Sequence, residues 1–281
     1  MVAALRVRQW PKNLLLFGGL IFAAKTGDLH SWVEASMAFV AYCLASSAAY
    51  LVNDVRDAPT DRAHPVKRER PVASGELAER KALLIGAVLG VLALLLAGAL
   101  GTSSILFLAG FLSLQMGYSL FLKHVVLIDV MCIAALFVIR AAAGAEAVHV
   151  VISPWLLVCT ALLALFLGLA KRRAELVLVG LAQTPGRLAL EGYSLELLDQ
   201  LISVVAASTI SAYSLYTFTA RDSKAMMATT PFVLFGIFRY LYLIHRRALG
   251  EEPENVLLKD VQIVLCVAGW ALTSGIILAV T

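Results

Sequence analysis

The chain has 281 residues, 60% of them hydrophobic and 15% charged, with a net charge of +4 and a mean hydropathy of +0.86. This composition excludes a water-soluble globular domain and a disordered tail, and is that of a polytopic membrane protein. The small positive excess calls for no nucleic-acid partner, because loop topology accounts for it.

Taken in chain order, nine stretches poor in charge are long enough, or nearly so, to cross a bilayer as helices. They cover roughly 13–25, 33–52, 82–101, 104–122, 125–144, 154–170, 201–220, 229–244 and 261–281. Strands are not expected, since alternation is absent and lipid favours helices. Arg6, Arg8, Trp10, Pro11 and Lys12 lead into the first stretch without an A-x-A site, so no cleavable signal peptide is expected. The expected fold class is therefore all-α and integral to the membrane, in one domain over 1–281. Cys43, Cys132, Cys159 and Cys266 lie scattered in apolar stretches, where packing is their expected role. Ala45, Ser46, Ala48 and Ala49 permit close helix packing, within one chain or between copies in a homo-oligomer.

With nine spans the connections alternate sides. Eighteen of the 23 Lys and Arg then fall on the side of the N-terminus, and only Lys25, Arg221 and Lys224 on the other; Arg140 and Arg239 lie inside spans. The positive-inside rule puts the N-terminus on the cytoplasmic side of an inner (plasma) membrane and the C-terminus outside.

On that cytoplasmic side the second span ends in Asn53-Asp54-Val55-Arg56-Asp57-Ala58-Pro59-Thr60-Asp61-Arg62, followed by His64-Pro65-Val66-Lys67-Arg68-Glu69-Arg70-Pro71. Asp54, Asp57 and Asp61 are spaced by three and four, so a continuing helix carries them in a narrow arc. Carboxylates so close repel one another and call for a counter-charge, and a hard divalent cation suits oxygen ligands. Mg²⁺ held by one or two carboxylates usually takes its other ligands from water and substrate phosphates. The cations downstream, Arg62, Lys67 and Arg70 among them, suit anionic oxygens out of the metal's reach. The pattern reads as a Mg²⁺–diphosphate site rather than a solvated loop that only sets topology. Pro59 disfavours helix at Ala58. The helix is expected to end or kink there, with Asp61 on a separate turn and Asp54 with Asp57 as the surer pair.

A second polar constellation shares that side. The fourth span ends in Tyr118-Ser119-Leu120-Phe121-Leu122-Lys123-His124, and the fifth carries Asp129 near its start. Arg140 lies in the fifth span at membrane depth, where an ionisable side chain faces a partner or a cavity. Asp129 is eleven residues away, about three turns, too far to pair on one helix. The sixth span ends in Lys171-Arg172-Arg173-Ala174-Glu175, with Lys171 and Glu175 facing alike. This cap ends span six as Asn53-Asp54 ends span two, which is what two four-helix pseudo-repeats plus a ninth helix would give. Two polar caps across one cavity follow. His64 and His124 flank the clusters and are candidates for contact with phosphate. Tyr193, Asp199, Asp260 and Gly250-Glu251-Glu252-Pro253-Glu254 read as loop polarity.

The run Asn53-Asp54-x-x-Asp57-x-x-x-Asp61-Arg62 resembles the first aspartate motif of the UbiA superfamily of intramembrane prenyltransferases, and nine helices around a central cavity with a polar cytoplasmic cap match that fold. Within it the chain is similar to the decaprenyl-phosphate phosphoribosyltransferase branch of arabinan cell-wall precursor synthesis. The resemblance is carried by Arg8-Gln9-Trp10-x-Lys12-Asn13, Tyr50-Leu51-Val52-Asn53-Asp54-Val55-Arg56-Asp57 and Asp61-Arg62-x-His64-Pro65-x-Lys67-Arg68-x-Arg70-Pro71. Leu122-Lys123-His124, Ile139-Arg140-Ala141-x-Ala143-Gly144, Lys171-Arg172-x-Ala174-Glu175-Leu176 and Gly250-Glu251-x-Pro253-Glu254 extend it over nearly the whole chain. Typical prenyltransferases carry a second Asp-rich motif where this chain has Lys171-Arg172-Arg173-Ala174-Glu175. Pro59 and the doubled Glu251-Glu252 also depart from the family pattern.

The resemblance implies Mg²⁺ on Asp54, Asp57 and Asp61 against the C1 diphosphate of phosphoribosyl diphosphate, with Asn53 orienting the metal ligands. A polyprenyl phosphate is the acceptor. Lys67, Arg70, Lys123, Lys171 and Arg172 are candidates for the 5-phosphate and the lipid phosphate, and Arg62, Tyr118, Arg140 and Glu175 complete the expected substrate-binding set. The alternatives are a prenyltransferase acting on an aromatic or lipid acceptor, and a transporter whose charges line a solute path. Missing second carboxylates weigh against the first; charge confined to one face weighs against the second.

Overall fold

The computed structural model describes residues 3–22, 27–63, 67–182, 188–219, 224–246 and 259–280. Every regular element among them is helical. A 3-10 helix over Val7–Phe17 runs into α1 (Gly18–Phe22), followed by α2 (Leu29–Arg62), α3 (Glu79–Leu100), α4 (Thr102–Leu120) and α5 (Ile128–Ala147). Then come α6 (Pro154–Ala182), α7 (Leu188–Glu191), α8 (Leu195–Thr219), α9 (Thr230–Arg246) and α10 (Val261–Val280), with 3-10 turns at Lys67–Glu69, Leu122–His124 and Lys224–Thr229. Eight of the described helices, α2 to α6 and α8 to α10, are long and apolar enough to cross a membrane. The first expected span, 13–25, takes another form. Its described part is the 3-10 stretch followed by one short helical turn. Pro11 lies inside that stretch and withholds a backbone donor. Gly19 and Gly144 let the segment close on α5: a Cβ on either would collide with backbone atoms of Ala145 or Leu16.

The chain forms two compact units. Residues Met1–Leu120 with Ile139–Ile152 make one, and Phe121–Val138 with Ser153–Thr281 the other, so the boundary falls within α5.

In the first unit, α2 packs along α3. Its buried face is built of small residues, among them Ala35, Ala38, Ala41, Ala45, Ala48 and Ala49. In lipid such side chains let backbones approach and gain van der Waals contact, and a Cβ on Gly86 of α3 would lie 3.4 Å from Ala48 O. Asp28 starts α2 as its N-cap, accepting from His30 N at 3.1 Å and Ser31 N at 3.3 Å. The helix does not end at Pro59 but runs to Arg62, so the expected break is corrected. Packing outweighs the local penalty: Ala58 is fully buried in a cluster with Leu51, Val72 and Ala82. Thr60 Oγ1 also donates to Asp57 O at 2.8 Å beside the proline. At 1.5 Å per residue the 34 residues of α2 reach ~51 Å, against ~30 Å of hydrocarbon.

In the second unit, α6 packs along α8. Phe166, Leu169, Leu198, Ile202, Ile237, Tyr240, Leu243 and Ile263 form its core. With 29 residues, α6 is also longer than the hydrocarbon is thick, at ~43 Å; Lys171 to Glu175 lie in its C-terminal half, and the helix continues for two turns beyond them.

Candidate active site

Continuous helix through Pro59 sets Asp54, Asp57 and Asp61 on consecutive turns of α2. Asp54 and Asp61 are buried and Asp57 is half-buried. Each is held by a different neighbour. Arg6, just before the 3-10 helix, pairs with Asp54 and lies over the Tyr50 ring at 4.8 Å. Arg70 Nη1 lies 2.6 Å from Asp61 Oδ2 and 3.6 Å from Asp54 Oδ1. Asn53 Nδ2 donates to Asp57 Oδ2 at 3.0 Å. Arg56 donates to Ser119 O at 2.8 Å and Leu120 O at 3.0 Å, tying the last turn of α4, which carries Tyr118, to the acidic end of α2. Arg62 turns the other way, to Ala73 O at 3.3 Å and Glu79 Oε1 at 3.1 Å, and is exposed. Lys67 is half-buried in the turn before Arg70.

The donor set suits a hard cation. Oxygens of Asp54 and Asp61 converge within 3.6 Å of one guanidinium nitrogen, which stands where a cation would. Among the described residues no three carboxylate, imidazole or thiolate groups gather closely enough to hold a metal unaided. A metal here would thus complete its shell with water and phosphate oxygens, the usual state of Mg²⁺.

The second unit carries the other predicted residues. Arg172 is fully buried, with Nε 2.7 Å from Asp129 Oδ2 and Nη1 paired with Glu175. Tyr193 OH donates to Asp129 Oδ1 at 2.8 Å and accepts from Leu127 N at 2.8 Å, holding Leu127 at a positive φ of 66°. Burial, and then the bond to Asp129, push the Tyr193 phenol well above its ordinary pKa. Arg173 Nε meets Asp199 Oδ1 at 2.5 Å and Nη1 reaches Ile244 O at 3.3 Å, which fastens α6 to α8 and α9. Lys171 and Lys123 are half-buried. Arg140 belongs to the first unit, where its Nε donates to Asn13 Oδ1 at 2.8 Å and its guanidinium covers the Phe111 ring at 4.6 Å. His64, Arg187 and residues 250–254 lie outside the described residues.

Sequence reasoning missed the contacts of Arg6, which counted only as a topological charge, and the pairing of Asp129 with Arg172 and Tyr193. Arg6 had a signal in its place beside Arg8-Gln9-Trp10. The Asp129 network spans 43 and 64 residues of sequence and has no local one.

The UbiA prenyltransferase family profile matches residues 14–258. The chain belongs to this family. Curated UbiA relatives include the decaprenyl-phosphate phosphoribosyltransferase of Mycobacterium tuberculosis, 35% identical over 98% of this chain and 93% of that protein. The decaprenyl-phosphate phosphoribosyltransferase of Mycolicibacterium smegmatis is 33% identical over 98% and 91%. The UbiA fold is seen in a homolog from Archaeoglobus fulgidus bound to DMAPP and Mg²⁺, with a TM-score of 0.73 and 19% identity over 99% of this chain and 96% of that one. Like other members, this UbiA protein is integral to the membrane, and its acidic turns lie at the end of an overlong helix.

Proposed function

We propose that this UbiA protein transfers the 5-phosphoribosyl group of phosphoribosyl diphosphate to a polyprenyl phosphate such as decaprenyl phosphate, releasing diphosphate, on the cytoplasmic side of the plasma membrane and in the service of cell-wall synthesis. The observation that carries the reading is that the chain has an acidic cluster on α2 but reads Lys171-Arg172-Arg173 on α6 where a prenyltransferase needs further carboxylates. Full-length likeness to curated phosphoribosyltransferases supports it.

Asp54 and Asp61, with Asp57, would hold Mg²⁺, which when bound supplies positive charge to the departing diphosphate. Asn53 keeps the Asp57 carboxylate oriented. Arg6 and Arg70 neutralise the carboxylates beforehand. With a cation bound at the carboxylates, their forked donors would suit the diphosphate oxygens. The C1–O bond to diphosphate breaks, and a phosphate oxygen of the lipid forms the new bond to C1 from the opposite face, with inversion. That nucleophile is already ionised at neutral pH, so no strong general base is required of the chain. Lys123 and Lys171 offer cations for the 5-phosphate, while Arg172, locked to Asp129 and Glu175, orients the cap.

Thermal unfolding of the detergent-purified protein tests the reading. Phosphoribosyl diphosphate with Mg²⁺ should raise Tm, and neither alone should match the pair. Stabilisation by a prenyl diphosphate with Mg²⁺ and none by phosphoribosyl diphosphate would favour the prenyltransferase instead.

A further inference from the structure

Below the acidic turns, α2 continues as a polar stripe. Tyr42, Ser46, Tyr50, Asn53 and Asp57 follow one another at spacings of four, four, three and four, within about a third of the helix circumference. The stripe enters a buried cluster in the first unit. Arg140 is 6% exposed and is fixed from two sides, by Asn13 Oδ1 at 2.8 Å and by the Phe111 ring at 4.6 Å. Phe111 in turn packs on Tyr42, with ring centroids 5.0 Å apart. Asn13 is anchored by its own Nδ2, which donates to Cys43 Sγ at 3.3 Å.

Two hydroxyls of this stripe, Tyr42 OH and Ser46 Oγ, are buried with no hydrogen-bond partner among the described residues; their side chains are 3% and 7% exposed. A buried hydroxyl left unbonded is costly, and so is a guanidinium at membrane depth. An anion with several acceptor oxygens would satisfy the two hydroxyls and suit the neighbouring guanidinium. A phosphate is the natural choice, since the guanidinium fork matches it and hydroxyls donate to it.

Depth selects the carrier. Arg140 lies twelve residues into α5, and Tyr42 twelve residues before Asp54, ~18 Å along each helix. A soluble diphosphate meets the acidic turns at the end of α2. A phosphate borne on an isoprenoid chain can enter from the lipid and sit below them, its tail in the apolar layer. Tyr50, under Arg6 and one turn from Asp54, lies between the two levels. We infer that Arg140, Tyr42, Ser46 and Asn13 form the subsite for the phosphate of the polyprenyl acceptor. The inference rests on the phosphoribosyltransferase reading and assigns the acceptor half of that site.

The test is direct binding to the full-length protein in lipid nanodiscs, comparing decaprenyl phosphate, decaprenol, inorganic phosphate and phosphoribosyl diphosphate. The wild type should prefer decaprenyl phosphate to decaprenol. Tyr42→Phe and Ser46→Ala, each losing one hydroxyl, should weaken decaprenyl phosphate about tenfold, with decaprenol and phosphoribosyl diphosphate bound as before and Tm retained. Arg140→Lys, which keeps the charge but loses the fork, should do the same. Decaprenyl phosphate bound at wild-type strength by both hydroxyl variants would overturn the subsite and leave the proposed reaction standing. Displacement of the lipid by inorganic phosphate at equal strength would assign the cluster to a free phosphate and overturn it likewise. A wild type that binds phosphoribosyl diphosphate but shows no preference for decaprenyl phosphate over decaprenol would remove the acceptor assignment itself.

Discussion

The ends of α2 and α6 are alike in build and opposite in state. Both helices are longer than the hydrocarbon is thick, and both carry a charged stretch in their C-terminal half. At the end of α2 the carboxylates belong to the helix, and their counter-charges, Arg6 and Arg70, come from segments outside it. In the C-terminal half of α6 the buried cation, Arg172, belongs to the helix and is matched by Asp129 and Glu175 within a network that Tyr193 completes. In the first arrangement the guanidinium groups come from segments outside the helix that carries the carboxylates. In the second, cation and carboxylates are joined in one buried network within a single unit.

The sharpest way to break this contrast is at α2. Asp54→Asn should lower turnover at least a hundredfold while leaving Tm within a few degrees, because it removes a ligand oxygen but keeps the side chain's shape. Near-normal steady-state rates in this variant would take the metal away from α2.

Arg172→Met should act in the opposite sense. It leaves Asp129 buried without its cation and should cost ~3–5 kcal/mol of stability, read as a large fall in Tm. Pairing it with Asp129→Leu should restore most of the loss, whereas an exchangeable residue would show neither effect.

A smaller change comes at Lys171. Lys171→Ala should raise KM for phosphoribosyl diphosphate about tenfold, the value of one lost charged hydrogen bond, with little change for the lipid. An unaltered KM for phosphoribosyl diphosphate would reject its role.

The least effect is expected at Pro59, which is exposed and within a continuous helix. Pro59→Ala should raise Tm slightly, as a helix-compatible residue replaces a ring without a donor, and should leave kcat unaltered. A loss of activity would mean that the proline shapes the acidic turns after all.

Much of this was legible in the residues because it depends on local spacing. Asp54, Asp57 and Asp61 announce an acidic face by their separation alone, and long apolar stretches announce the spans that α2 to α6 and α8 to α10 form. Pro59 was misleading because its penalty is local, while the burial of Ala58 against Val72 and Ala82 is not. The stretch over 13–25 read as a span from its hydropathy, yet Pro11 and the close approach of Gly19 and Gly144 gave its described part a 3-10 course. The reach of Arg6 to Asp54, across 48 positions, and of Arg172 to Asp129, across 43, has no signature in spacing. Arg140 could be marked as exceptional from its depth, but its neighbours Asn13, Tyr42 and Phe111 come from three separate elements.

The most direct measurement is transfer of label from radiolabelled phosphoribosyl diphosphate to decaprenyl phosphate by the detergent-purified protein with Mg²⁺. The account predicts an organic-extractable labelled lipid whose formation EDTA stops. No labelled lipid, together with turnover of a polyprenyl diphosphate and an aromatic acceptor, would contradict it and make this chain a prenyltransferase in the strict sense.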